Sequence, residues 1–254
     1  MLGPMIPAVR HQRILQSLRH SGGQTVGDLA TTLNVSSSTI RRDLSRMEDD
    51  GVLQRTFGGA ILTDEADEPI EQAHQANTDG KAGIALAAST LISDGMTVIL
   101  DVGSTTLALA EALRGRQLTI ITASLPVFWL FTHEPQARIL LLGGSYRPEY
   151  QCTAGHMTVA ALRDVHADVA FLGCTGVASD GTIRDNTADQ VPVKRAIMAA
   201  ADATVLLCDS SKFPGQGTYT VGNASALSHV VTDAPVPASL SKKLAVSATE
   251  VLYS

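Results

Sequence analysis

Ser37, Ser38 and Thr39 lead into Arg41 and Arg42, and Arg46 follows one helical turn after Arg42. Short hydroxyl donors beside planar guanidinium forks are the side-chain types that read base edges and hold phosphate oxygens. Neighbouring helical positions lie about 100° apart, so one of Arg41 and Arg42 can face a base edge while the other reaches a phosphate. Arg55, between two short apolar runs, would approach the adjacent nucleic-acid backbone or the minor groove. Arg10 and Arg13 stand where a first helix often meets phosphate. On a merely solvated helix the same arginines would do no more than pair with Asp43 and Glu48, so the surrounding elements decide between the two readings.

A second group begins at DVGSTT, residues 101–106, directly after the apolar run 97–100. Asp101 and Gly103 shape a tight turn. Ser104, Thr105 and Thr106 then supply hydroxyls and successive backbone N–H groups at a helix N-terminus, a setting that holds phosphate or another oxyanion. The segment lacks the lysine of a P-loop and the full glycine set of a dinucleotide fingerprint, and a plain strand-to-helix turn with a serine cap is the simpler alternative. Other apolar runs also end on polar or glycine-rich residues: Ser124, Gly144, Gly176 and, after 204–209, Lys212. In an open parallel sheet such strand ends converge on one crevice, where Lys212 would neutralise an anion. Lys81 sits in the first turn of its helix, where the dipole disfavours a cation; a bound anion offsets that cost, and plain solvent exposure is an equal alternative. Lys194 and Arg195 raise the same question, with exposure the stronger reading.

The elements that must position these groups follow from periodicity. Ile14, Leu15 and Leu18 mark a first helix, and Thr25 caps a second with Val26, Leu29, Ala30 and Leu33 on its buried side. After a four-residue turn, a third helix capped by Ser36 or Ser37 runs to about Asp50, where Gly51 stops it, with Ile40, Leu44 and Met47 inward. Strands over 52–55 and 59–62 form a hairpin around Thr56, Phe57 and Gly58. Helix, turn, recognition helix and hairpin in that order predict a winged helix-turn-helix over 7–62 that binds double-stranded DNA.

Residues 63–77 are acidic and polar and read as a linker. Over 78–254, helices at 79–92, 106–113, 126–132, 153–163 and 193–201 alternate with strands at 97–101, 118–122, 138–142, 169–173 and 204–209, followed by a strand at 230–232. Strands apolar throughout and separated by helices predict an α/β, Rossmann-like parallel sheet covered on both faces.

The charge is divided in the same way. Residues 1–62 carry seven Arg and no Lys against five acids, whereas residues 63–254 carry twelve Lys and Arg against twenty acids. A local basic patch attracts a polyanion even on an acidic chain, because the field of the acidic remainder decays within about 10 Å in ordinary salt. Apolar runs such as 139–142 are far too short to cross a bilayer. No signal-peptide pattern is present, and Cys152, Cys174 and Cys208 are odd in number and widely spaced, so the expectation is a reduced, cytoplasmic protein with no structural metal and no cofactor. Asp101, Asp185, Asp189 and Asp209 can approach the crevice, yet no paired-carboxylate set with a lysine of the kind aldose–ketose isomerisation needs is evident, and no catalytic residues are assigned.

On these residues the chain resembles the DeoR-type bacterial transcriptional regulators. VSSSTIRRDL at 35–44, ME at 47–48, GVL at 51–53 and RTFGGA at 55–60 look like that family's DNA-binding domain, as do Arg10, Ile14, Leu18, Leu29 and Ala30. DVGSTT at 101–106, LGG at 142–144, FLGCTG at 171–176, VKR at 193–195, DSSKF at 209–213 and VTD at 231–233 look like its C-terminal sensor domain. The resemblance implies a second domain related in fold to ribose-5-phosphate isomerase and glucosamine-6-phosphate deaminase. It implies a regulator, a repressor of carbohydrate genes, that senses a phosphorylated sugar; dimers suit paired half-sites, so a homodimer or homotetramer is expected. The alternative is a sugar-phosphate isomerase or deaminase with a DNA-binding appendage. Two departures matter: Ala123 stands where many members carry Asn, altering a ligand-contact position, and Gln190 and Pro192 lie where Glu is frequent.

Overall fold

In α1 (Pro7–Ser21), Ile14 and Leu18 lie four residues apart on one face and are fully buried. They pack with Leu29 and Leu33 of α2 (Val26–Leu33) and with Ile40, Leu44 and Met47 of α3 (Ser37–Asp49). Thr25 ends the short strand β1 (Gln24–Thr25) and caps α2, its Oγ1 accepting the Asp28 N–H at 3.1 Å. Asn34 turns the chain out of α2 in the left-handed conformation, φ 53°. Strands β2 (Leu53–Thr56) and β3 (Gly59–Leu62) form the expected hairpin, and β1 adds a third, antiparallel strand in the order β1-β3-β2. That pairing requires Gly59, because a Cβ there would run into the Gln24 carbonyl.

These elements belong to one of two compact units, Met1–Ala66 and Asp67–Ser254, into which the computed structural model divides. The structure describes residues 6–21, 23–49, 53–62 and 77–254. The expected stop at Gly51, the start of the hairpin at Val52 and the linker over 63–76 lie outside the described residues.

The second unit is a seven-stranded parallel sheet in the order β15-β14-β12-β9-β4-β5-β6. Its strands are β4 (Thr97–Leu100), β5 (Thr119–Thr122), β6 (Arg138–Leu141), β9 (Ala167–Leu172), β12 (Ala201–Leu207), β14 (His229–Thr232) and β15 (Glu250–Tyr253). Alternate residues point to opposite faces. Val98 and Leu100 face a core with Ile84 of α4 (Thr78–Ser89), Leu109 of α5 (Ser104–Ala112) and Phe131 of α6 (Leu125–Phe131). Ile99 faces the other core, with Leu162 of α7 (His156–Arg163), Val193 and Ile197 of α8 (Gln190–Ala199), and Leu240 and Leu244 of α9 (Ala238–Val246). This is the expected doubly covered α/β sheet. The chain fills β5 and β6 on one side of β4, then returns to place β9 on the other, so the winding reverses between β4 and β9, and ligands of such sheets bind outside the strand C-termini at that reversal.

Several elements differ from expectation. Residues 152–154 are not the start of a helix but strand β8 (Cys152–Ala154), antiparallel to β7 (Ser145–Arg147); Thr153 Oγ1 donates to the Leu142 carbonyl at 2.6 Å, and α7 begins only after Gly155, whose φ is 93°. A further sheet, β10 (Gly176–Val177), β11 (Thr182–Asp185) and β13 (Tyr219–Asn223), is antiparallel and has no counterpart in the sequence expectation, nor have α9 and β15.

Candidate nucleic-acid interface and ligand site

Ser36 is the residue that caps α3. Its Oγ accepts the Thr39 N–H at 3.2 Å and lies 2.9 Å from Ser38 Oγ and 2.8 Å from Thr39 Oγ1. The first turn thus presents Ser37, Ser38 and Thr39, and Arg41, Arg42 and Arg46 are exposed beyond it. Among the described residues none of these three guanidinium groups has an ion-pair partner, so pairing with Asp43 or Glu48 does not account for them. Glu48 instead holds the hairpin, its Oε1 accepting the Arg55 N–H at 3.0 Å, while the Arg55 side chain donates to Ser45 Oγ at 3.0 Å. Arg55 therefore projects beside α3, with Phe57 fully exposed at the hairpin tip.

Arg10 corrects the sequence expectation. It is buried rather than offered to phosphate: Nε donates to Asp43 Oδ2 at 2.5 Å and a terminal nitrogen to Oδ1 at 3.0 Å. His11 Nε2 lies 3.2 Å from the same carboxylate. Burial pushes the Asp43 carboxyl up, but the hydrogen bonds from Arg10 and His11 and their charge outweigh it and hold it below its ordinary range. The signal was present in the sequence: Asp43 falls within the inward stripe Ile40, Leu44, Met47, and a carboxylate there needs a partner.

In the second unit the focus is Lys194. It is buried at the start of α8, and Nζ donates to Asp101 Oδ2 and, at 2.9 Å, to the Gly173 carbonyl; Asp185 Oδ2 is 3.6 Å away. Gly173 N–H donates to Asp101 Oδ2 at 3.1 Å. Asp101 follows β4 and Gly173 follows β9, so the cluster sits at the winding reversal. Desolvation lowers the lysine pKa, but Asp101 and Asp185 prevail and keep the ammonium charged. Lys194 is thus neither exposed nor free for an anion. Its face of α8 also carries Gln190 and Ile197, both buried, and that spacing is the clue the sequence held. Pro192 falls in the first turn of α8, where proline is tolerated.

Two acceptors of this cluster have no hydrogen-bond partner among the described residues: Asp101 Oδ1 and Gln190 Oε1, both on wholly buried residues. Gln190 Nε2 donates to Cys152 Sγ at 3.2 Å, and burial pushes the Cys152 thiol up to about 11 despite that bond.

Gly103 precedes α5 with φ 135°, a conformation that favours glycine, and no side chain caps the helix. Thr106 Oγ1 donates to the Gly103 carbonyl at 2.9 Å, and Thr105 is buried, which leaves the part-exposed Ser104 as the hydroxyl at the mouth of the turn. Lys212 ends the 3-10 turn Ser210–Lys212 after β12. Only β9 separates β4 from β12, so the two loops are roughly 10 Å apart at ordinary strand spacing. Asp233, after β14, accepts the Ser210 N–H at 2.6 Å and the Asn77 side-chain N–H at 3.2 Å, tying the N-terminus of α4 to the Lys212 turn. Lys81, one turn into α4, is buried, so solvent exposure does not explain it.

Three other predicted residues have packing duties. Ser124 is fully buried and caps α6, its Oγ accepting the Val127 N–H at 3.4 Å. A Cβ at Gly144 would collide with Ala154 and Thr158, and one at Gly176 would meet Gly215 and Gln216, on the loop that continues from Lys212. Ala123 is buried and apolar. Arg195 is committed to the Val221 and Thr220 carbonyls at 3.0 and 2.6 Å. No helix among the described residues is long and apolar enough to cross a membrane.

Comparison with known proteins agrees with this division. Residues 10–66 match the DeoR-like helix-turn-helix domain, and residues 76–234 match the DeoR C terminal sensor domain. The glycerol-3-phosphate regulon repressor of Escherichia coli strain K12 is 31% identical over 92% of this chain and 94% of its own. The lactose phosphotransferase system repressor of Lactococcus lactis subsp. lactis is 35% identical over 80% of this chain and 82% of its own. Among solved structures, ribose 5-phosphate isomerase A of Methanocaldococcus jannaschii is 21% identical, covers 54% of this chain and 55% of that one, and has a TM-score of 0.40. With a DeoR-like head, a DeoR sensor domain and repressors of near-equal length as relatives, the chain belongs to the DeoR family of transcriptional regulators.

Proposed function

We propose that this regulator is a sequence-specific repressor of carbohydrate genes whose operator affinity is set by a phosphorylated sugar bound at the strand C-termini of the second unit. The observation that carries the reading is the pairing, across the winding reversal, of the uncapped N-terminus of α5 at Gly103 and Ser104 with the Lys212 turn. A phosphate is met there by helix N–H groups and an ammonium. Asp101 Oδ1 and Gln190 Oε1, buried acceptors in want of donors, suit the hydroxyls of a sugar. The names of two relatives, which refer to a glycerol-3-phosphate regulon and a lactose phosphotransferase system, favour the same ligand chemistry.

On DNA, Ser37, Ser38, Thr39, Arg41 and Arg42 enter the major groove, with Arg46 and Arg55 on phosphates. One such helix reads too few base pairs, so the acting species is a homodimer or homotetramer in the cytoplasm. A ligand that favours one conformation of the assembly changes operator affinity by its differential binding energy. The isomerase alternative is disfavoured because relatives matched along most of the chain are named repressors.

A thermal-shift panel of phosphorylated sugars against their unphosphorylated forms tests the reading, since only ligands that favour the folded state raise the midpoint. A midpoint rise with one or more sugar phosphates and none with the free sugars is expected. Equal shifts with both forms, or turnover of a sugar phosphate by the purified protein, would overturn it.

A further inference from the structure

The strands β9 and β12 run in parallel with one constant register, from Ala167 opposite Ala201 to Leu172 opposite Leu206. Two residues further on, the same register sets Cys174 opposite Cys208. On its other side β12 stays paired at this level, the Cys208 N–H donating to the Val231 carbonyl of β14 at 3.1 Å. Burial, with Cys174 beside it, pushes the Cys208 thiol well above its ordinary range. Adjacent strands lie about 4.8 Å apart, within the Cα separation of about 4.4 to 6.8 Å that a disulfide spans.

The pair is asymmetric. Cys174 is part-exposed at the crevice end of β9, and the Lys194 ammonium, which binds the neighbouring Gly173 carbonyl, is close enough to interact electrostatically with its sulfur. Cys208 is buried behind it. The accessible sulfur meets an oxidant first, whereas an enclosed thiol is reached only through its neighbour. Cys152 belongs to a different contact, with Gln190, and is buried.

We infer that Cys174 and Cys208 form an oxidisable dithiol site that takes a hydroperoxide and closes to a reversible disulfide at the mouth of the crevice. The Cys174 thiolate attacks one peroxide oxygen, the O–O bond breaks, and the leaving oxygen departs as water after taking up a proton, leaving a sulfenic acid. The Cys208 sulfur then attacks the Cys174 sulfur; the S–O bond breaks, the hydroxyl leaves as a second water with the Cys208 proton, and the S–S bond forms. With hydrogen peroxide the balance is two thiols and one peroxide to one disulfide and two waters, the protein giving up two electrons. The bond joins the Gly173 loop to the segment leading into the Lys212 turn. Its effect on ligand response rests on the effector reading above, whereas its formation does not.

The test is peptide mapping by mass spectrometry of the full chain after brief treatment with hydrogen peroxide, with far-UV circular dichroism as a control for folding. The expected result is a cross-linked peptide pair containing Cys174 and Cys208 that is lost on adding dithiothreitol, absent in C174S and retained in C152S. A cross-link through Cys152, oxidation of Cys174 to sulfinic acid with Cys208 left as a thiol, or resistance of both thiols in the folded wild type would each overturn the inference. None of those outcomes depends on which ligand the crevice holds, so a failed sugar-phosphate screen leaves this result standing.

Discussion

Lys194 and Asp101, ninety-three residues apart in the chain, form a buried ion pair that joins the start of α8 to the end of β4. Asp185 of β11 completes the cluster from a second sheet. Truncating the lysine leaves two buried carboxylates without their counter-charge, which costs about 3–5 kcal/mol. The K194M variant is therefore expected to lose stability in urea by that amount while the isolated charge of its DNA-contacting face is untouched. The pH sign follows from the raised lysine pKa: the contribution is full below the ordinary lysine value, persists above it, and is lost only as pH rises through the folded-state value. Wild-type protein should thus hold its stability into mildly alkaline solution, as monitored by thermal unfolding at stepped pH.

Asp43 makes the equivalent bond in the head. Its carboxyl is depressed by Arg10 and His11, so the stability it lends is present above the unfolded aspartate pKa of about 3.9 and is lost as pH falls through the lower folded value. The D43N variant is expected to be destabilised by on the order of 3 kcal/mol and to show a flatter acid limb than wild type. Circular dichroism across an acid titration of both proteins measures this.

The difference between these residues and the rest of the fold explains what was legible in the sequence. Ile14, Leu18, Ile40, Leu44 and Met47 announce their face by local spacing, and the strands of the parallel sheet other than β15 announce themselves as apolar runs bounded by glycine or polar residues. Asp43 with Arg10 and Lys194 with Asp101 are partnerships across 33 and 93 residues, and no local pattern encodes them. The strands β10 and β13 are short, glycine-containing and stabilised by pairing with β11 rather than by a periodic face of their own. Of the proposed site residues, Gly103, Ser104 and Lys212 stand out in the sequence because they follow apolar strands; Gln190 stands out only as a departure from a family pattern, and its unpartnered oxygen emerges only in three dimensions.

Arg42 and Arg41 separate base reading from phosphate grip. R42A and R41A are each expected to weaken operator binding at least fivefold, the base-contacting one by about 1–3 kcal/mol with relaxed sequence preference and the phosphate-contacting one with a salt slope shallower by about one. Both variants should retain the thermal shift with sugar phosphate. Fluorescence anisotropy on operator and scrambled DNA over a salt series distinguishes the two.

Ser104 and Lys212 are expected to act on the ligand alone. S104A and K212A should bind operator as wild type does and require at least tenfold more sugar phosphate for the same change in DNA affinity. Dose–response curves read by the same anisotropy assay give the shift.

The central claim is that the crevice and the DNA-contacting face are linked. Its most direct test is the operator Kd of the wild-type chain, measured with and without a saturating sugar phosphate that raises the melting temperature. The account predicts a change of at least fivefold, corresponding to about 1 kcal/mol or more of coupling, and a proportionately smaller change in K212A. A ligand that stabilises the protein yet leaves the operator Kd the same would contradict it.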